Sequence, residues 1–349
     1  MAAAVRSSAV AARMAAAARG RAAAMARRRE ATRVAQLAAL QERGLQAEHW
    51  PLQKATVNKF TLADYYKAVR IFLLWVGDRP TDSAAAIDTL LCDYMDERMR
   101  EGYGKGCGQK LISGFVHYHP HLTHCIPWAR KMLKGWERLL PKRSHPPLSW
   151  DFATVIACSL VQEGKKRMGA AVLLTHHCLL RANECCNLVR EDIVDGADAR
   201  LGIAHAGKMT IILRKTKTRS NVHVEVVDEH MASLVRQLVR CTRRGERLFP
   251  FTRATWLRHF KAQCKAFGLS DKFVLHSLRD GGATDWNVLK EHSLEDTILR
   301  GHWATASSAR IYVQGFAALQ AQFDAPKAMH KAAAVTVHAW PRFFAAFAW

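Results

Sequence analysis

Apolar residues recur at helical spacing from about residue 48 onward. The run from Ala63 to Trp75 carries them on one face and predicts a helix, and Ala84 to Arg100 predicts a second, with Ile87, Leu90, Leu91 and Met95 on one stripe. Gly102, Gly104, Gly106 and Gly108 then interrupt the chain before two further helical patterns, Gln109 to Tyr118 and Pro127 to Leu140. No alternating pattern marks a strand here, so residues 48–140 are expected to form a domain of four or five helices.

The stretch Pro141-Lys142-Arg143-Ser144-His145-Pro146-Pro147 changes the pattern. Prolines stop helices and hold the chain extended, so residues 141–149 read as a basic linker. A second domain follows, with helices expected over Trp150 to Gln162 and Lys166 to Cys178. Two β-rich runs, Lys208 to Leu213 and Asn221 to Val227, flank a polar basic turn and read as a hairpin. Helical patterns resume from His230 to near Ala325. The expected fold class is mainly α with a small antiparallel β-sheet, in two domains, the second spanning 150–325. Residues 326–349 are Ala-rich with Trp340, Phe343, Phe344, Phe347 and Trp349, and are set apart as a C-terminal tail. Disorder and docking on another subunit both fit that tail. No internal repeat is present.

Charge narrows the partner. The 349 residues carry 52 Lys plus Arg against 30 Asp plus Glu, a formal net charge of +22. Such an excess favours a polyanion, nucleic acid above all. Seven arginines lie within residues 1–29, which contain no Asp or Glu; removing them leaves 22 − 7 = +15 on the remainder, so the basic character extends beyond the start of the chain. Residues 1–47 form an Ala/Arg-rich tail that fits an organellar transit peptide, a disordered basic arm or a helix formed on DNA. The expected location is intracellular, with the nucleus first and organellar import second. The nine cysteines include no CxxC pair, and the adjacent Cys185 and Cys186 are poor zinc geometry, so reduced thiols are expected. The run His176-His177-Cys178 reads as core packing rather than a metal site, and no metal or other cofactor is expected. No stretch approaches the ~18 apolar residues of a membrane span.

Four short motifs carry the candidate chemistry. Leu180-Arg181-Ala182-Asn183-Glu184 places an arginine between an apolar helix and a polar turn, where a buried ion pair with Glu184 is the plain alternative. Arg214-Lys215-Thr216-Lys217-Thr218-Arg219 is the basic hairpin turn. His276-Ser277-Leu278-Arg279 sets His and Arg three apart on one helical face. Gly301-His302-Trp303 is followed nine residues later by Tyr312. Each alone is as well explained by packing or solvation. In the first domain, Arg130, Lys131, Lys134 and Arg138 stand beside Trp128 and Trp136, which suits contact with a DNA backbone as well as it suits a solvated helix face.

In their order and spacing these motifs resemble the tyrosine recombinase, or phage integrase, family. Leu180-Arg181 through Glu184 to Leu188 is similar to its first arginine box, His276 and Arg279 to its H-x-x-R box, and Gly301 to Tyr312 to its last box with the nucleophile. The resemblance covers roughly residues 50–325 and is strongest over 150–315. The wording around the boxes is most similar to recombinases of eukaryotic mobile elements, of the DIRS-like or crypton type.

The resemblance implies site-specific cleavage and rejoining of double-stranded DNA through a 3′-phosphotyrosine at Tyr312. It implies a two-domain clamp on the duplex, a homotetramer on two duplexes, and neither metal nor ATP. Phosphoryl transfer spreads negative charge over non-bridging oxygens, and guanidinium groups match that geometry at any working pH. Arg181 and Arg279 are the implied phosphate ligands and His276 an assistant in proton transfer. Lys217 is the expected donor to the leaving oxygen, with Lys215 as alternative. Trp303 fills the next position, with His302 as alternative. Further DNA contacts are expected from Lys142, Arg143, Arg214 and Arg219. One departure stands out: Asp280 occupies a position where many relatives carry histidine, close enough to neutralise Arg279 in part. A decayed or repurposed DNA-binding protein and a type IB topoisomerase-like enzyme are the competing outcomes.

Overall fold

The computed structural model describes residues 51–140, 145–196, 209–215 and 220–347. The chain divides between Arg143 and Ser144 into two compact units.

The first unit is helical: α1 (Pro51–Ala55), α2 (Lys59–Val76), α3 (Ala84–Arg100), α4 (Gly106–Tyr118) and α5 (Pro127–Leu139). Asn58 starts α2 by accepting the Phe60 and Thr61 amides, and Ser83 starts α3 by accepting that of Ala86. The start of α5 is capped from a distance. Its first amides, of Trp128 and Ala129, donate at 3.0 and 2.8 Å to the carboxylate of Asp88, a buried residue of α3. Phe72, Leu91, Tyr94, Met95, Leu111, Ile126 and Trp136 form the core. Trp128, eight residues before Trp136, is 61% exposed, because it lies off the buried face defined by Ala129, Leu133 and Trp136.

The second unit is built on the antiparallel pair α6 (Trp150–Gln162) and α7 (Lys166–His177), almost wholly buried. The short helix α8 (Ala182–Asn187) leads into a three-stranded antiparallel sheet, ordered β1 (Ile193–Asp195), β2 (Met209–Lys215) and β3 (Ser220–Val226). Met209, Ile211 and Leu213 pair with Val226, Val224 and Val222, so one face of the hairpin alternates inward. The sequence reading missed β1, whose three residues are too few for a period-two signal. Helices α9 (Glu229–Arg240), α10 (Arg253–Ala266), α11 (Leu275–Thr284), α12 (Leu294–Gly301), α13 (Ala306–Arg310) and α14 (Gly315–Phe323) follow, with a π-helical turn over Asp285–Leu289.

Two boundaries differ from expectation. Residues 326–349 were set apart as a tail, yet Lys327–Ala346 forms helix α15, packed against α6 of the same chain. Met329, Ala333, Trp340 and Phe344 are spaced to fall on one helical stripe, and all are buried in the core of the second unit. The Ala-rich composition had hidden that stripe. The linker is also shorter than 141–149 at its far end. Leu148 is fully buried, and its amide donates to the Ser277 carbonyl at 2.9 Å. Among the described residues, no helix is long and apolar enough to cross a membrane.

Candidate active site

The first arginine box begins where α7 stops. Leu179 adopts a left-handed conformation (φ +51), which turns the chain back so that Arg181 can open α8. A branched apolar residue rarely takes this conformation, and the surrounding packing must hold it there. Glu184, one helical turn on, accepts from the Arg181 amide at 2.7 Å and from its guanidinium at 2.6 Å. The ion pair considered from sequence is therefore present.

Helix α11 delivers the second box. Gly281 and Gly282 allow it to lie against the first: a Cβ at Gly281 would sit 1.7 Å from the Leu148 carbonyl oxygen, and one at Gly282 2.1 Å from that of His176. Arg279 thereby enters the core with 1% exposure. Its two terminal nitrogens donate to the carbonyls of Leu179 and Gly301, one from each neighbouring box. The sequence reading had this guanidinium gripping phosphate; here its terminal groups hold main chain. Glu184 lies 3.9 Å away, and burial followed by the nearby Arg181 pulls the Arg279 pKa down to about 10. It is still a cation at neutral pH.

Around this buried charge stand the remaining box residues. The Arg279 guanidinium carbon is 4.6 Å from the Trp303 ring centre and 5.4 Å from that of Tyr312. Trp303 and Tyr312 are themselves 4.8 Å apart, and His276 lies 5.3 Å from Tyr312. His276 Nε2 is 3.7 Å from the carboxylate of Asp280, the residue noted as a departure from the family pattern. Trp303 is buried and packed on the tyrosine, whereas His302 is the left-handed cap of α12. Thus Arg181, Glu184, His276, Arg279, Trp303 and Tyr312 converge from three separated stretches of sequence.

Lys217, Arg219, Lys142 and Arg143 lie outside the described residues, as does the side chain of Lys215. Arg214 turns back onto Asp192 at 2.5 Å. In the first unit, Arg130, Lys131, Lys134 and Arg138 are all exposed on α5, with Lys131 4.6 Å from the Trp128 ring centre. Arg130 and Lys134 line a groove of about 640 Å³ with Lys105, Gln109 and Ser113 of the α4 region. Lys105 was missed because it sits among glycines, outside any periodic pattern.

The run His176-His177-Cys178 is built into the core. His176 Nε2 contacts the Leu148 carbonyl at 3.0 Å, and Asp285 lies 3.3 Å from it. Burial and the neighbouring Arg300 hold His177 well below its ordinary pKa, and burial pushes the Cys178 thiol up to about 12. Arg300 itself, unremarked in the sequence, donates to the His177 carbonyl at 2.7 Å and the Glu225 carbonyl at 3.3 Å, under the Trp286 ring at 4.1 Å.

Several solved DNA complexes resemble this chain. Residues 82–397 of the Tn1549 transposon integrase with transposon right-end DNA superpose with TM-score 0.55 at 12% identity, over 83% of this chain and 98% of that one. A lambda integrase tetramer on a Holliday junction gives 0.53 at 16% identity, over 81% and 77%. A lambda integrase (75–356) dimer on a COC′ core site gives 0.51 at 17%, over 74% and 90%. No protein-family model matches the chain, and no curated protein sequence does. The fold is that of the tyrosine recombinases. At these identities the likeness concerns the fold alone.

Proposed function

We propose that this protein is a tyrosine-type DNA recombinase that breaks and rejoins double-stranded DNA through Tyr312. The observation that carries this reading is the packing of Tyr312 against Arg279, Trp303 and His276 in one cluster, with Arg181 tied to it through Glu184. In the reaction, the phenolic oxygen attacks phosphorus, the bond to the 5′ oxygen breaks, and a 3′-phosphotyrosine forms. The phenolic proton passes to His276 or water. The departing 5′ oxygen takes a proton from Lys217, or from Lys215. The reverse step reseals DNA with no energy source, because the phosphodiester energy is kept in the tyrosyl ester.

Arg279 has two parts in this scheme. Its terminal nitrogens fix the Leu179 and Gly301 carbonyls, and its charge, desolvated beside Tyr312, favours the developing anion at short range. Arg181, with 23% side-chain exposure, is the guanidinium better placed to meet a phosphate from solvent. The exposed cations of α5 would follow the DNA backbone. The assembly proposed is a homotetramer on two duplexes, acting on DNA of a mobile element.

A nicked suicide substrate tests the reading. Wild-type protein should form a covalent DNA adduct in the presence of EDTA, and Tyr312→Phe should form none. A second reading, a DNA-binding protein without cleavage, is favoured by one observation: both arginines already have protein partners. It predicts a salt-sensitive DNA complex and no adduct from the wild type.

A further inference from the structure

Tyr312 sits on a weakly held segment. It follows the five-residue α13, and Ile311 beside it is 67% exposed. Helix α14, which begins three residues later, buries no residue, and its Phe316, Leu319 and Phe323 are 82%, 67% and 86% exposed. The hydrogen bonds within the segment are local: the Tyr312 amide to the Ala309 carbonyl, and the Gln314 side chain to the Ile311 carbonyl. A short helix of this kind does not hold its own position without tertiary contacts.

Among the described residues, one side chain from a distant element hydrogen-bonds to this backbone. Thr284, at the end of α11 and 2% exposed, donates its hydroxyl to the Tyr312 carbonyl at 3.1 Å. The same oxygen accepts the Gln314 amide at 3.0 Å, and its single proton is shared between the Tyr312 carbonyl and the Asp280 carbonyl, 2.9 Å away one turn back in α11. One buried hydroxyl thus bonds main chain on both sides of Val313, directly after the nucleophile. Thr284 shares α11 with Arg279 and His276, five and eight residues earlier.

We propose that Thr284 is a positioning residue that locks the nucleophile's main chain to the helix carrying Arg279 and His276. The inference rests on the recombinase reading of the same site. A hydroxyl suits the task because it donates to one peptide group and accepts from another, which neither valine nor alanine does. Valine has nearly the same shape, so Thr284→Val removes both bonds to the nucleophile's segment, and the one to the Asp280 carbonyl, while leaving the volume of the buried site intact. Displacing a nucleophile by about 1 Å can slow its reaction by ~100-fold.

The test uses the full-length protein. Single-turnover adduct formation on a nicked duplex is measured alongside DNA affinity and hydrogen exchange of the Gln314 amide, for wild type, Thr284→Val and Thr284→Ser. The valine variant should form adduct about 10- to 100-fold more slowly at unchanged DNA affinity, with faster exchange at Gln314. The serine variant, which keeps the hydroxyl, should recover most of both. Wild-type rates in Thr284→Val, or a serine variant as slow as the valine one, would overturn the clamp while leaving the recombinase reading in place. A wild-type protein that forms no adduct would overturn the recombinase reading, and the catalytic purpose of the clamp with it, whatever the exchange data show.

Discussion

The cations of the two units meet different surroundings. On α5 of the first unit, Arg130, Lys131, Lys134 and Arg138 are exposed. In the second unit, among the described residues, three arginines each hold two main-chain carbonyls. Arg167 donates to the Cys241 and Leu248 carbonyls, Arg279 to those of Leu179 and Gly301, and Arg300 to those of His177 and Glu225. The same kind of side chain therefore lies open to solvent in one place and ties separated segments together in the other. Burial decides which: an exposed charge is screened and contributes little to stability, whereas a buried one is desolvated and depends on hydrogen bonds to hold it.

Removing a buried tie should have the largest effect. Arg279→Ala leaves two buried carbonyls without donors and Glu184 facing Arg181 alone, and is expected to cost about 3–5 kcal/mol in urea unfolding, together with loss of adduct formation. A cost below about 1 kcal/mol would mean that Arg279 is no more structural than the surface cations.

The next effect is acid sensitivity of the second unit. Burial, then Arg300, lowers the folded-state pKa of His177 below its ordinary 6.5. The unfolded chain therefore binds a proton that the folded chain refuses. Stability falls as pH drops below about 6.5, by at most about 1.4 kcal/mol per unit from this one group, until the folded-state pKa is reached. Denaturant midpoints for wild type and His177→Gln between pH 7 and 5 should diverge, the variant losing less. Equal losses would assign the acid sensitivity to other groups.

The smallest effect on stability is expected from α5. Replacing Arg130, Lys131, Lys134 and Arg138 by glutamine should change unfolding by no more than about 0.5 kcal/mol per site. It should instead flatten the salt dependence of DNA binding, by about 0.9 in log–log slope for each phosphate no longer neutralised. An unchanged slope would place the DNA elsewhere on the protein.

Much of the fold was legible in the sequence. Helical periodicity marked α2 to α5 of the first unit, and the β-rich runs Lys208 to Leu213 and Asn221 to Val227 marked the hairpin. Three features escaped for physical reasons. The strand Ile193–Asp195 is too short to show a period. The buried stripe of α15 lies among alanines, which fit core and surface alike. Lys105 and Arg300 take their roles from neighbours remote in sequence, at Arg130 and Lys134 for one and at Glu225 and Trp286 for the other.

The candidate site divides in the same way. Order and spacing singled out Arg181, His276, Arg279, Trp303 and Tyr312, because residue type and local periodicity are properties of the chain itself. The sequence also carried Gly281-Gly282, but their purpose appears only where α11 presses on Leu148 and His176. That Arg279 bonds two carbonyls and that Thr284 reaches past the nucleophile were decided by tertiary structure alone. Each depends on distances between segments 22 to 100 residues apart in the chain, which local pattern does not encode.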